Sequence, residues 1–369
     1  MTEKQPPCSP GDPERPINKP RFGLRRAGEL TKNTSPPAWL IKKFLEDKTL
    51  SLLFAEPESG KSLLALSMAF SVATGTPWFG KDVDPGLVVY IAGEGHNGIG
   101  RRLKALEIHH GISLDPSPLF VSWSAASIID IESIHYVVEA VEDAVTMTGL
   151  PPKLIIIDTL ARNFGPGNEN STADMNQVIQ HVDWYLKDRF DSSVLIVHHT
   201  GHGDKNRGRG SSVLKAAVDS EYMLSKSDDA VRLTTTKMKD ADYPDPMAFE
   251  IEVVDLEIID EDGEPVNSVV LTPKEYVRPS EDPTKGLGVR QMKSFAVLNR
   301  LYLAESLDSE SQGISRGVWR AACEAEGIYQ GRSAAHDVLT RLSKRGLIEV
   351  NGDFVKPARV IDKGPSSNE

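Results

Sequence analysis

Cysteine is almost missing: Cys8 and Cys323 are the only two in 369 residues. They are too few and too far apart for a disulfide framework or a zinc site. No apolar run reaches eighteen residues, which excludes a membrane-spanning helix. The opening residues are rich in proline and charge and lack the apolar stretch of a secretory signal. These absences together predict a reduced, cytoplasmic protein without a membrane partner. A basic excess is missing too, since 42 Lys+Arg face 53 Asp+Glu for a net charge of −11. The imbalance is local: residues 1–34 and 285–369 each carry +3, and the stretch between them carries −17. Such an acidic middle argues against a general basic nucleic-acid binder but leaves room for a locally basic channel. Internal repeats are absent, as is the Asn-Lys-x-Asp element with which GTPases read guanine.

What is present divides along the chain. Residues 1–34 hold six of the 24 prolines and no apolar period, which predicts a disordered tail. Four apolar runs then follow, at 50–55, 87–92, 154–157 and 194–197, separated by helical spacing at 63–73, 98–110, 133–148 and 173–189. Near-continuous apolar strands alternating with helices predict an α/β domain over 35–275, its mostly parallel sheet covered on both faces. Runs at 218–225, 230–236 and 248–254 add further strands, some of them antiparallel. Pro273, Pro279, Pro283, Gly286 and Gly288 mark a linker over about 276–289. Helical patterns at 290–304, 315–325 and 333–344 and a hairpin around Asn351-Gly352 predict a small winged-helix-like α+β domain over 290–357. The Asn-Gly pair predicts a type I′ turn. Residues 358–369 read as a second tail.

The strongest motif is Ala55-Glu56-Pro57-Glu58-Ser59-Gly60-Lys61-Ser62, the Walker A spacing with alanine at the first glycine. Backbone N–H groups of such a loop wrap phosphates at a helix N-terminus, where the dipole favours negative charge. The run Ala55 to Leu63 is therefore the candidate ATP-binding segment. Lys61 would reach the β- and γ-phosphates, and Ser62 would ligate Mg²⁺. Only Gly60 keeps the freedom for a left-handed turn. Asp158, ending the third apolar run, fits the second Mg²⁺ residue, acting through water. Glu94 ends the second run. Ligands gather at the C-terminal strand ends of a parallel sheet, so Glu94 can share one crevice with Asp158 and deprotonate the attacking water. His198 and His199 end the fourth run and point to opposite faces. One of them, His199, is the candidate γ-phosphate sensor.

Together with Val89–Gly95, Ile156–Arg162, Val197–Gly201 and Arg209-Gly210-Ser211-Ser212, these residues resemble the RecA-like core. Within it they are most similar to the RepA-like hexameric replicative helicases of plasmids and phages. The likeness covers roughly 45–255, and the chain adds 285–369 to it. The resemblance implies a RecA-like P-loop NTPase assembled as a hexameric ring, with ATP between subunits and a cationic finger supplied by a neighbour. Lys237-Met238-Lys239 looks like the Lys-x-Arg finger pair of the related DnaB helicases, with Lys239 in the arginine position, where it lacks the planar fork. Arg207 and Arg209 compete for that role. The resemblance also places loops 162–168 and 203–209 in a central channel. There Phe164 would stack on single-stranded DNA and the loop cations would follow its backbone. Arg332, Arg341, Lys344 and Arg345 on the last helix could meet duplex DNA or a protein. The expected function is an ATP-hydrolysing DNA helicase. A RecA-like ATPase without unwinding activity and an ATP-gated winged-helix regulator are its rivals.

Overall fold

Both faces of the central strands are apolar, and each face has its own covering layer. The computed structural model describes residues 24, 26–32, 34–201, 209–227, 230–277, 287–304 and 313–358. The chain forms two compact units, 1–277 and 278–369. In the first unit the described elements are, in order, α1 (Ala27–Lys32), β1 (Trp39–Ile41), β2 (Leu45–Glu46), β3 (Leu50–Ala55), α2 (Lys61–Thr74), β4 (Leu87–Ala92), α3 (His96–His110), β5 (Leu119–Val121), α4 (Ile131–Thr148), β6 (Pro152–Asp158), α5 (Leu160–Asn163) and α6 (Thr172–His181). A wide π turn, Val182–Lys187, leads into α7 (Asp188–Phe190), β7 (Ser193–His199), α8 (Ser212–Ala217), β8 (Ser220–Ser227), β9 (Ala230–Met238), β10 (Met247–Ile259) and β11 (Pro265–Lys274). Nine strands make one sheet in the order β11-β10-β9-β8-β3-β7-β6-β4-β5. It is parallel from β8 to β5 and antiparallel from β8 outward to β11.

The side-chain period of two sorts each central strand between layers. On β3, Leu53 and Ala55 enter the core shared with α2 and α3, whereas Leu50, Leu52 and Phe54 enter the core shared with α4 and α6. Strand β6 splits likewise, with Leu154 and Ile156 on the first side and Ile155 and Ile157 on the second. Double coverage explains why these strands read as unbroken apolar runs.

Several expectations need correction. Ala27–Lys32, inside the predicted tail, is a short helix with no buried residue. The helix expected over 173–189 is interrupted by the π turn, which re-aims Tyr185 and Leu186 into the core. The β1–β2 hairpin, β5 and β11 were not anticipated, because β1, β2 and β5 are only two or three residues long and β11 is largely half-buried or exposed, so none leaves a sustained apolar run. The rest of the predicted tail before residue 24, linker residues 278–286 and the tail 359–369 lie outside the described residues.

The second unit runs α9 (Val289–Ala304), β12 (Ile314–Ser315), α10 (Arg316–Ala325), α11 (Arg332–Lys344), β13 (Ile348–Asn351) and β14 (Phe354–Pro357). Its sheet order is β12-β14-β13. This is the winged-helix pattern, with β12 the strand that sequence reading missed. The turn is not type I′. Asn351 pairs with Phe354, so Gly352 and Asp353 form the loop, and only Gly352 has a positive φ, at 55°. Trp319 anchors the core, packed with Phe295, Leu298, Val338 and Leu342, and its indole N–H donates to the Ser294 carbonyl at 2.8 Å. Trp319→Ala should cost this unit about 3–5 kcal/mol. Thermal unfolding followed by calorimetry should show one transition moving and the transition of the first unit unchanged.

Candidate nucleotide site

The C-terminal ends of β3, β4, β6 and β7 converge, and there polar side chains replace the apolar runs. Strand β3 ends at Ala55, fully buried and extended, which is why alanine serves at the first Walker A position. Left-handed backbone is taken up further on, at Gly60 with φ 93° and also at Glu58 with φ 60°. Glu58 corrects the expectation that Gly60 alone turns left-handed. Nothing crowds a Cβ at Gly60, so its glycine answers to backbone conformation and not to space. Ser59 Oγ donates to the Glu56 carbonyl at 2.7 Å, and buried Lys61 Nζ donates to the same carbonyl at 2.9 Å. Burial lowers the Lys61 pKa, while Asp158 and Glu94 act to raise it. The loop, Lys61, Ser62 and Leu63 line a cleft of about 370 Å³ that also receives Glu94, Thr159, His199 and Arg102.

Asp158 closes β6 beside Ala92 of β4 and Val197 of β7. It is buried, its Oδ2 accepts a hydrogen bond from the Tyr90 hydroxyl, and its Oδ1 has no partner. Burial first, then Asp158, pushes the Tyr90 pKa well up, with Ser62 acting in the opposite sense, so Tyr90 stays a neutral donor. The phenol thus holds one of the two predicted Mg²⁺ residues, Asp158, directly. An orphaned buried carboxylate oxygen near a serine hydroxyl is a donor set suited to Mg²⁺ and its water. Sequence reading missed Tyr90 by counting it among the apolar residues of β4. The available signal was parity, since Tyr90 shares a face with Ala92 and the helix that follows the phosphate loop.

Glu94 follows β4 after Gly93. A Cβ on Gly93 would lie 2.4 Å from Arg162 Cβ, so glycine is needed for this close approach. Glu94 Oε2 accepts from Arg162 Nε at 3.1 Å, and the two side chains are 50% and 65% exposed. Arg162 belongs to α5, so the expected loop 162–168 begins as a helical turn. Phe164 is not a loop aromatic: it is 1% exposed, within the core under α4 and α6, and cannot stack on a base there. Trp123 is an exposed aromatic, 98% exposed, on a segment whose Ala126 N–H donates to Asn163 Oδ1 at 2.8 Å.

His199 lines the cleft, whereas His198 is buried on the other face with Nε2 3.1 Å from the Arg209 carbonyl. Burial lowers both pKa values, that of His198 to about 3, with neighbouring cations contributing. Arg209 Nε lies 3.4 Å from Glu169 Oε2, and its N–H donates to the His199 carbonyl at 2.7 Å. The ends of the two expected loops are therefore joined. Arg207 and the rest of 202–208 lie outside the described residues. Lys239 pairs with Asp219 at 2.8 Å, and Lys237 Nζ donates to the carbonyls of Lys215, Ala216 and Val218. Both lie by register at the opposite end of the sheet from the phosphate loop, so neither serves the cleft of its own chain.

Tyr90→Phe should weaken Mg²⁺ in the nucleotide complex about 10–100-fold. Calorimetric titration of Mg²⁺ into the ADP-loaded protein checks this, and unchanged Mg²⁺ affinity would remove Tyr90 from the metal's surroundings. His198 generates a pH prediction. Between its unfolded pKa of about 6.5 and its folded value of about 3, only the unfolded chain binds the proton, so stability falls as pH falls. Its contribution between pH 7 and pH 5 should be about 2 kcal/mol. Urea unfolding at the two pH values should show that loss shrinking in His198→Gln.

Among the described residues, no helix is long and apolar enough to cross a membrane, and no group of His, Cys, Asp and Glu is arranged to hold a metal by itself. No curated protein matches the chain. A family model described as an AAA domain matches residues 18–205, just over half of the chain, and spans β3 to β7 with the phosphate loop, Glu94, Asp158 and His199. The sheet, the phosphate loop and this match agree: the chain belongs to the AAA-domain family of RecA-like P-loop ATPases.

Proposed function

We propose that the chain is the subunit of a ring-forming, ATP-hydrolysing motor that translocates on single-stranded DNA, a RepA-like helicase of plasmid, phage or mobile-element replication. The observation that carries this reading is the Glu94–Arg162 pair. A carboxylate engaged by a guanidinium is a poor proton acceptor, so this contact restrains the residue best placed to activate water. The pair is exposed, hence weak. A DNA phosphate reaching α5 competes for Arg162 through charge-assisted hydrogen bonds and releases Glu94. DNA binding and hydrolysis are then one event.

The remaining residues take roles consistent with this. Lys61 and the loop N–H groups hold the phosphates, and His199, a neutral imidazole, faces the γ-phosphate and moves with Arg209. Ser62 and Asp158 would hold Mg²⁺, which supplies neutralisation of the phosphate oxygens when bound. Trp123 takes over the stacking role that buried Phe164 cannot perform. Lys239 or Lys237 would act in a neighbour's cleft, as their distance from their own requires, with Arg207 and Arg209 as alternatives. Arg332, Arg341 and Lys344 are exposed on α11 and would meet duplex DNA or a protein partner.

The test is ATP turnover with and without single-stranded oligonucleotide. Glu94→Gln should bind ATP and hydrolyse it about 10²–10⁴-fold more slowly. Arg162→Ala should raise DNA-free turnover by up to about fivefold, the worth of one exposed ion pair, and lose stimulation. Unchanged basal rate together with intact DNA stimulation in Arg162→Ala would sink the coupling, and absence of strand displacement by the wild type would sink the helicase.

A further inference from the structure

The wall of the cleft facing the phosphate loop comes from the β10–β11 hairpin, through Ile251 and Val269. Register puts them together. Ile251 pairs with Leu271 and Val253 with Val269, so all four side chains share one face of the hairpin, with Phe249 two residues back from Ile251. Phe249 and Leu271 are buried in the core. Along the same face, Ile251 is 38% exposed and Val253 is 64% exposed. An apolar stripe therefore starts in the core, runs along the cleft wall and ends uncovered at its mouth. Carbon side chains offer nothing to phosphate oxygens, and leaving them in water gains nothing.

The hairpin is held in place from its other face. Val254 and Val270 are buried in the core that includes Ile99, Ala105 and Leu106 of α3, and Glu252 Oε1 lies 3.8 Å from His109 Nδ1. Among the described residues, β10 beyond Phe249 has no partner strand other than β11. This arm leaves the sheet edge and lies against α3, which fixes the stripe relative to the phosphate loop.

We propose that Ile251, Val253 and Val269 form the platform on which the base of the bound nucleotide lies, its flat face against carbon. The inference rests on the phosphates occupying the loop around Lys61. Ligand sites combine a few polar anchors with a predominantly apolar wall; here the loop supplies the anchors and the hairpin the wall. Leu63, the residue after Ser62, also lines the cleft and extends the apolar surface from the phosphate side.

The experiment compares ADP with pyrophosphate, which has the phosphates and no base, by calorimetry on the full chain. Ile251→Ser and Val269→Ser should each weaken ADP about tenfold and leave pyrophosphate unchanged. Lys61→Ala should weaken both. Equal losses of ADP and pyrophosphate in the hairpin variants would overturn the platform, as would no loss of either. Failure of the wild type to bind pyrophosphate, or its indifference to Lys61→Ala, would instead overturn the phosphate-loop reading on which the platform depends. Val253→Trp gives a readout independent of affinity. Its added fluorescence should change with ADP and not with pyrophosphate. A change that follows protein concentration alone would assign the stripe to a second copy of the chain and overturn the proposal.

Discussion

Asp158 is a carboxylate taken out of water at the end of a strand whose neighbours are apolar on both faces, and that burial constrains the rest of the cleft. An uncompensated charge there would be costly, so the surroundings must answer it. Tyr90 does so from the next strand by donating to one oxygen, and the other oxygen is left buried without a hydrogen-bond partner. Lys61, also buried, gains from the same negative charge part of what burial removes. A cluster of this kind is held together by the demands of its own desolvation, which is why it can be rigid before any ligand arrives.

Most of that cluster could be read from sequence because a strand with both faces covered can place polar residues only at its ends. Glu94, Asp158 and His199 each follow an apolar run, and Lys61 and Ser62 sit in a motif whose spacing carries its own geometry. Phe164 was misread for a local reason: it stands among Arg, Asn, Gly and Pro, yet the turn of helix at Leu160–Asn163 rotates it inward. Ile251 and Val269 were unreadable for a nonlocal one. Their place above the cleft depends on β10 leaving the sheet after Phe249, which no short window contains. Tyr90 was visible but miscounted, since its ring belongs to the core and its hydroxyl to the chemistry.

The acidity of the middle segment has a similar resolution. Glu250, Asp255 and Glu257 lie exposed along β10, on the arm outside the central strands, whereas Asp158 is buried and Glu94 faces Arg162. Net charge therefore describes the outside of the domain more than its cleft. Affinity for a polyanion would depend on a few cations near α5 and beyond β7, and would be steeply sensitive to salt.

The strength of the Glu94–Arg162 pair limits what it can regulate. A ligand shifts an equilibrium only by its differential affinity for the two states, and the state it must displace is stabilised by one solvent-exposed ion pair. At about 1 kcal/mol or less, that contact can account for roughly a fivefold change in the population of free Glu94. A buried pair would give a larger range, but a loop ligand could not open it cheaply. Stimulation of turnover beyond about fivefold would therefore need a second source besides this pair. A cation entering from a neighbouring subunit is such a source, because it acts on the transferring phosphoryl group and not on the base. On the proposed reading, Arg162 would set the threshold for hydrolysis, and assembly of a ring would set its maximum.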